Sequence, residues 1–334
     1  LDNRLAARHA ALAAPLREGL VDAEREAELV GSTEVLLDPV VAVHRVEFGR
    51  AQDPGRARRG EGDAEPLQRR GAVGHHVRLG PGREDAAGRV VGGNERVVRP
   101  RLADAKFFFD QDRKKTLESR VLGLAKVVYH NRLGSQLQRV QRLQKLAGEI
   151  ARLTQADATQ AERAALLAKA DLLTDMVGEF PELQGIMGRY YARHDGEVPA
   201  VAAAIEQHYF PKTAGGTLPE GAVAICAALA DKLDTLTGIF GIGLVPSGDK
   251  DPFGLRRSAL GVVRILAEES LALDVLDLLT LARGHFPAGT VADSVAQDLH
   301  AFMLERLKPY LRDKLFEVDE IDAVVSLNPT RFDQ

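Results

Sequence analysis

Residues 133–153 read LGSQLQRVQRLQKLAGEIARL. Leu133, Leu137, Val140, Leu143, Ala147 and Ile150 recur at steps of three and four, which gathers them on one stripe of an α-helix and predicts that this stripe is buried. Arg139, Arg142 and Arg152 fall largely off it. Working outward, the same periodicity predicts helices over 161–177, apolar enough on several sides to be central, over 198–208 ahead of Pro211, and over 222–240, very apolar, with Asp231 and Asp234 three apart on nearly the same face. After the Gly/Pro loop GIGLVPSGDKDPFG (241–254), helices are expected over 255–269, 273–282, 291–311 and 318–327. No strict apolar–polar alternation follows Tyr129, so the fold class is mainly α, with a helical domain at 134–241 and a further helical segment at 242–334.

Ahead of this patterned part the text is different. The first lysine is Lys106, the first tyrosine Tyr129 and the first isoleucine Ile150, while arginine is frequent from Arg4 onward. Residues 49–93 are Gly, Arg, Ala, Asp and His without period, so residues 1–92 are expected to be disordered or poorly structured, although 2–30 has helix-favouring composition. The pair His75-His76 has no third ligand at a helical metal spacing and reads as loop histidines. Arg56, Arg58, Arg59, Arg69 and Arg70 are diluted by Asp53, Glu61, Asp63 and Glu65, which favours a solvated segment over a nucleic-acid arm.

Over all 334 residues, 44 Lys and Arg face 48 Asp and Glu, a net charge of −4 that excludes a wholly basic nucleic-acid coat but allows local basic patches. One cysteine, Cys226, excludes an internal disulfide framework and a cysteine-rich zinc site, and points to a reducing, cytoplasmic setting. The longest apolar runs, such as 222–230, are about half the ~20 residues of a membrane span, so no membrane partner is expected.

Two motifs come close to known chemistry. Residues 243–250, GLVPSGDK, approach a phosphate-binding P-loop, but Asp249 separates Gly248 from Lys250 and Asp251-Pro252 follows where Ser or Thr is required, so a turn between helices is expected. Asp171 and Asp231 lie inside apolar helices, and burying a carboxylate is costly unless it is paired. In a metal-dependent phosphohydrolase of the HD type, a His, a His-Asp pair and a later Asp hold the metal; here those positions fall on Gln136, Ala170-Asp171 and Asp231. Two carboxylates without imidazole make a poor transition-metal site, so no metal is expected, and pairing of the aspartates with Lys169, Lys232 or Arg189 is the better reading. His194-Asp195 reads as a surface turn beyond a helix.

Three stretches carry a family resemblance: GNERVVRPRLADAKFFFDQDRKK (93–115), KADLLTDMVGEFPELQGIMGRYYARHDGE (169–197) and ADKLDTLTGIFGIGLVPSGDKDPFGLRRSALGVVRI (230–265). From about Gly93 to Gln334 the chain resembles the β subunit of bacterial heterotetrameric glycyl-tRNA synthetase. The resemblance implies an ATP-dependent ligase of two α and two β chains, with Mg2+-ATP and glycine handled at the α-subunit active site. It implies that β binds tRNA(Gly), that its central region is an HD-like helical domain with degraded metal residues, and that an anticodon-binding region lies further on. Residues 93–133 are then a family-matched connection, and 242–334 lead into an anticodon-binding region that is expected to be cut short. Family sequence ahead of Gly93, including a module related to phenylalanyl-tRNA synthetase β-chain domains, is not matched, and residues 1–92 are expected to derive from an out-of-frame reading of the gene.

No nucleophile with its base, metal cage or phosphate cradle assembles in the patterned part, so no catalytic residue and no cofactor is assigned to this chain. Its contribution is expected to be tRNA binding through Arg139, Arg142 and Lys145, through Arg189 and Arg193 around Tyr190-Tyr191, and through Lys250, Arg256 and Arg257, with a tyrosine stacking on an unpaired base. Lys106, Arg113, Lys114 and Lys115 are expected to face a neighbouring domain instead. An active HD-type phosphohydrolase and a nonfunctional fragment are the alternatives.

Overall fold

The computed structural model describes residues 89–334. Expectations for His75-His76, for the arginine run 56–70 and for the rest of residues 1–88 lie outside the described residues. Residues 89–92, grouped above with the poorly structured segment, belong to helix α1 (Arg89–Asp112), which contains Pro100. The chain divides into two units after Phe108, the second being Phe109–Gln334. In the first, the described part is helical and the Phe107 and Phe108 rings meet edge to face.

The second unit opens with a short helix α2 (Leu117–Val121), whose first turn is capped by the Thr116 hydroxyl accepting from the Ser119 amide. A 3-10 turn (Leu122–Lys126) leads to a small antiparallel hairpin, β1 (Val128–His130) with β2 (Gly134–Ser135). Helix α3 (Gln136–Leu153) starts at a capping box, in which the Ser135 side chain takes the Gln138 amide and the Gln138 side chain takes the Ser135 amide. Val140, Leu143, Ala147 and Ile150 are buried as the stripe requires, and Leu146 and Ala151 widen it.

The helix expected over 161–177 is broken. Helix α4 (Ala158–Leu167) ends early, a 3-10 turn (Ala170–Leu173) follows, and α5 (Asp175–Glu179) begins afresh. Thr174 is the reason on the backbone side: its hydroxyl donates to the Asp171 carbonyl and accepts from the Val177 amide, so it ends one helical turn and caps the next. Helix α6 (Ile186–His194), which no periodicity picked out, precedes α7 (Pro199–Gln207), α8 (Ala222–Thr235) with a π turn (Leu236–Phe240), α9 (Leu255–Glu268), α10 (Val275–Gly284), α11 (Val295–Asp313) and α12 (Val318–Ser326).

Helix α8, rather than the broken segment 161–177 expected in that place, is the central element. It packs against α3, α4, α7, α9 and α10, which is why its sequence is apolar on every side. Ala224, Ala227, Ala228 and Ala230 keep its surface small enough for several helices to approach at once. One apolar cluster runs from Leu133 to Phe332, drawing on both segment 134–241 and segment 242–334. Among the described residues, no helix is long and apolar enough to cross a membrane.

Candidate nucleic-acid interface and the buried charge centre

Four charged residues meet where α3 crosses α8. Arg139 and Arg142, one turn apart on α3, face Asp231 and Asp234, one turn apart on α8. Arg142 grips Asp234 with two nitrogens, Nε to Oδ1 at 2.6 Å and Nη2 to Oδ2 at 3.2 Å. Arg139 Nη2 donates to Asp231 Oδ1 at 2.9 Å and to the Thr235 hydroxyl at 2.7 Å. The guanidinium of Arg139 lies 4.2 Å from the Tyr129 ring centre and that of Arg142 lies 4.4 Å from that of Phe286. Both arginines are therefore buried, against the expectation that they lie off the packed stripe and meet tRNA. The physical reason is that a planar cation can enter a helix interface when a carboxylate neutralises it and an aromatic face covers it.

A lysine completes this centre. Lys169 Nζ stands 3.1 Å from Asp231 Oδ1, 2.7 Å from His208 Nε2 and 3.9 Å from the Tyr209 ring centre. His208 Nδ1 lies 2.7 Å from the Ile205 carbonyl, so the ring donates there and accepts from the ammonium through Nε2, which is the neutral form. Burial, reinforced by the Lys169 charge, holds His208 well below its ordinary pKa and so keeps it neutral. Burial lowers Lys169 to about 8, although Asp231 opposes the shift. For Asp231, burial pushes the carboxyl up, but the charges of Lys169, Arg139 and Lys232 outweigh it and hold the group well below the usual carboxylate range. Arg139 is likewise opposed by burial but raised overall by Asp231 and its neighbours.

Asp171 is engaged differently. Its Oδ2 accepts from the amides of Gly185 at 2.7 Å and Gly188 at 3.2 Å, at the start of α6. At Gly188 the missing side chain allows the approach: a Cβ there would lie 2.7 Å from Ile205 Cγ2 and 3.0 Å from Asp171 Oδ2. Burial raises the Asp171 carboxyl to about 6, against the pull of these amides and Lys169. Of the other HD-equivalent positions, Gln136 is half-buried at the start of α3 and Ala170 is buried. Among the described residues, no group of three or more His, Cys, Asp or Glu could hold a metal ion.

The remaining basic candidates are scattered over the surface. Lys145, Arg193, Lys250 and Arg257 are exposed, and Arg256 is half-buried with Nη2 donating to the Gly248 carbonyl at 2.6 Å. Arg189 is exposed but pairs with Glu206 at 2.9 Å, and Tyr190 is half-buried. Tyr191 is turned inward, its hydroxyl 2.9 Å from Asp112 Oδ2 and its ring stacked on Phe109, so it is not available to an RNA base. Of the expected surface turn, exposed His194 is the last residue of α6 and half-buried Asp195 opens the turn after it, its carboxylate accepting from the Leu117 amide at 2.7 Å. Arg113 is half-buried over the Phe109 ring beside His194, while Lys106, Lys114 and Lys115 are exposed.

Sequence reasoning missed Asp112 and His208, and it saw Asp234 without its partner. Asp112 is buried and takes the amides of Asp175 and Met176, the Tyr191 hydroxyl and Arg120, tying the end of α1 to α5 and α6. His208 carried no flanking motif. Asp234 stood at the right spacing from Asp231 but had no visible partner, since its arginine lies 92 residues away in the chain.

Loop 243–254 is a structured turn. Ser247 and Lys250 exchange backbone hydrogen bonds of 3.2 and 3.0 Å, and the Asp251 carboxylate caps α9 through the amides of Leu255 and Arg256. The Lys250 amide thus donates within the turn, which does not fit a loop that cradles ATP phosphates.

A family model described as glycyl-tRNA synthetase beta subunit matches residues 73–326. The glycine–tRNA ligase beta subunit of Thiobacillus denitrificans is 61% identical over 249 residues, 74% of this chain and 35% of the relative. That of Aromatoleum aromaticum is 62% identical over 246 residues, 73% and 35% respectively. That of Dechloromonas aromatica is 59% identical over 250 residues, 74% and 35%. The chain spans about a third of the length of these curated relatives. The family match begins twenty residues ahead of Gly93, so residues 73–92 do not belong with an unmatched segment. A shift in composition marked that boundary too late, because a Gly- and Arg-rich stretch can still carry family positions.

Proposed function

The chain belongs to the glycyl-tRNA synthetase beta-subunit family, and from this membership we propose that it forms the tRNA-positioning part of a glycine–tRNA ligase β subunit. In this reading it binds tRNA(Gly) and presents it for ATP-dependent glycylation at the active site of an α subunit, in a cytoplasmic assembly of two α and two β chains. The observation that carries it is the family match over residues 73–326.

The chemistry of the described residues supports a binding role. The charges that could do acid–base work, Asp231, Lys169 and His208, are buried and spent on one another, whereas Lys145, Arg193, Lys250 and Arg257 stand in solvent where phosphates can reach them. The phosphate contacts supply sequence-independent affinity and set the orientation of the tRNA.

The test is glycylation of tRNA(Gly) by α subunit alone, by β subunit carrying this sequence alone, and by the two combined. Charging is expected only from the combination, with tRNA retained on a filter in proportion to β. Charging by the β chain in the absence of α would overturn the assignment.

A further inference from the structure

We propose that Phe253, paired with His130 and flanked by Arg132, Lys250 and Arg257, is a stacking platform for an unpaired RNA nucleotide; this rests on the tRNA-binding reading and deepens it. Phe253 keeps 42% of its surface exposed on loop 243–254, beside the exposed Leu244 and Val245. Its ring meets His130 of the hairpin at 6.1 Å with a 73° interplanar angle. In an edge-to-face pair one ring does not cover both faces of the other, and the exposure of Phe253 puts part of its surface within reach of a base.

The loop that presents Phe253 is held rigid by contacts that do not involve its ring. Arg132 Nη1 donates to the Ile242 carbonyl at 2.7 Å and so ties the hairpin to the start of the loop. The Ser247–Lys250 exchange closes its tip, the Arg256 bond to Gly248 fastens the tip to α9, and Asp251 caps that helix. Gly254 takes a positive φ of 66°, and a Cβ there would lie 2.8 Å from Arg257 Nη2, so this guanidinium lies against the backbone next to Phe253. A loop fixed by hydrogen bonds has no folding need for an exposed phenylalanine, and a fixed aromatic costs a ligand little ordering entropy.

Charge decides the occupant. Arg257 lies against Gly254 next to Phe253, Lys250 is exposed on the same loop and Arg132 is exposed two residues after His130, while of the carboxylates in the loop Asp251 is consumed by the α9 cap and Asp249 remains exposed. Cations beside an exposed aromatic ring match an unpaired nucleotide, whose base stacks while its flanking phosphates meet the cations. The platform is indifferent to base identity, since every base has a π face, so it secures the strand without reading it.

The experiment uses the assembled α and β chains and measures tRNA(Gly) affinity for the wild type, Phe253→Ala and Phe253→Tyr, with the thermal transition and the assembly state recorded for each. Phe253→Ala is expected to weaken tRNA binding by roughly 5- to 100-fold with an unchanged transition, and Phe253→Tyr to retain it. Unchanged affinity in Phe253→Ala, with the wild type still binding tRNA through β, overturns the platform and leaves the proposed function standing. Loss of α from the assembly in Phe253→Ala, with normal affinity in the remaining complex, also overturns it, because the surface would then belong to a protein contact. If β adds nothing to tRNA affinity in the wild type, the functional reading itself fails.

Discussion

Arg139 with Arg142 and Arg256 with Arg257 are basic pairs of similar appearance in sequence, and they end in opposite environments. The first pair lies inside the α3–α8 interface, neutralised by Asp231 and Asp234 and covered by Tyr129 and Phe286. The second sits at the head of α9, where Arg256 braces a loop and Arg257 meets solvent. What separates them is the presence of carboxylates on a helix that arrives 92 residues later. A basic residue is thus a candidate for RNA only after the acids of the folded protein have been assigned.

The comparison breaks most readily at Asp234. Asp234→Ala leaves Arg142 buried without its carboxylate, and a loss of roughly 3–5 kcal/mol in urea unfolding is expected. A loss below about 1 kcal/mol would mean that the centre is wetter than its burial indicates. The same centre should respond to alkali. Burial holds Lys169 and Lys232 at about 8 in the folded protein, below the ordinary lysine value of 10.5. Between these values the unfolded chain holds more protons than the folded one, so stability should rise as pH goes from 8 towards 10.5, by about 1.4 kcal/mol per unit of depression. Lys169→Met should remove about half of that rise, leaving the Lys232 share, when urea midpoints are compared at pH 8 and pH 10; an identical rise in the variant would show that Lys169 does not titrate there. At the small end, Arg257→Ala should change stability by no more than about 0.5 kcal/mol yet lower the slope of log affinity for tRNA against log salt by about 1. A cost to stability as large as that of Asp234→Ala would place Arg257 with the buried pair.

Legibility followed the locality of the physics. The stripe of α3 and the very apolar character of α8 were visible because helical periodicity and burial act within a few residues. The break between α4 and α5 was not, because it depends on Asp171 turning to the amides of Gly185 and Gly188 and on Lys169 turning to Asp231 and His208. Tyr191 looked like a base-stacking residue next to basic neighbours, and its burial follows from Asp112, which carries no motif. Phe253 went unnoticed for the opposite reason: an isolated phenylalanine in a loop gives no periodic signal, and only the hairpin bearing His130 reveals it as an exposed ring with an aromatic partner.

By itself the sequence determined the helical class, most helix positions from residue 133 onward and the family, since these depend on patterns laid along the chain. Only the tertiary structure decided which charges are buried and which remain for a ligand. An ion pair stabilises or costs according to what surrounds it, and for Arg139, Arg142, Asp171 and Lys169 those surroundings come from helices distant in sequence.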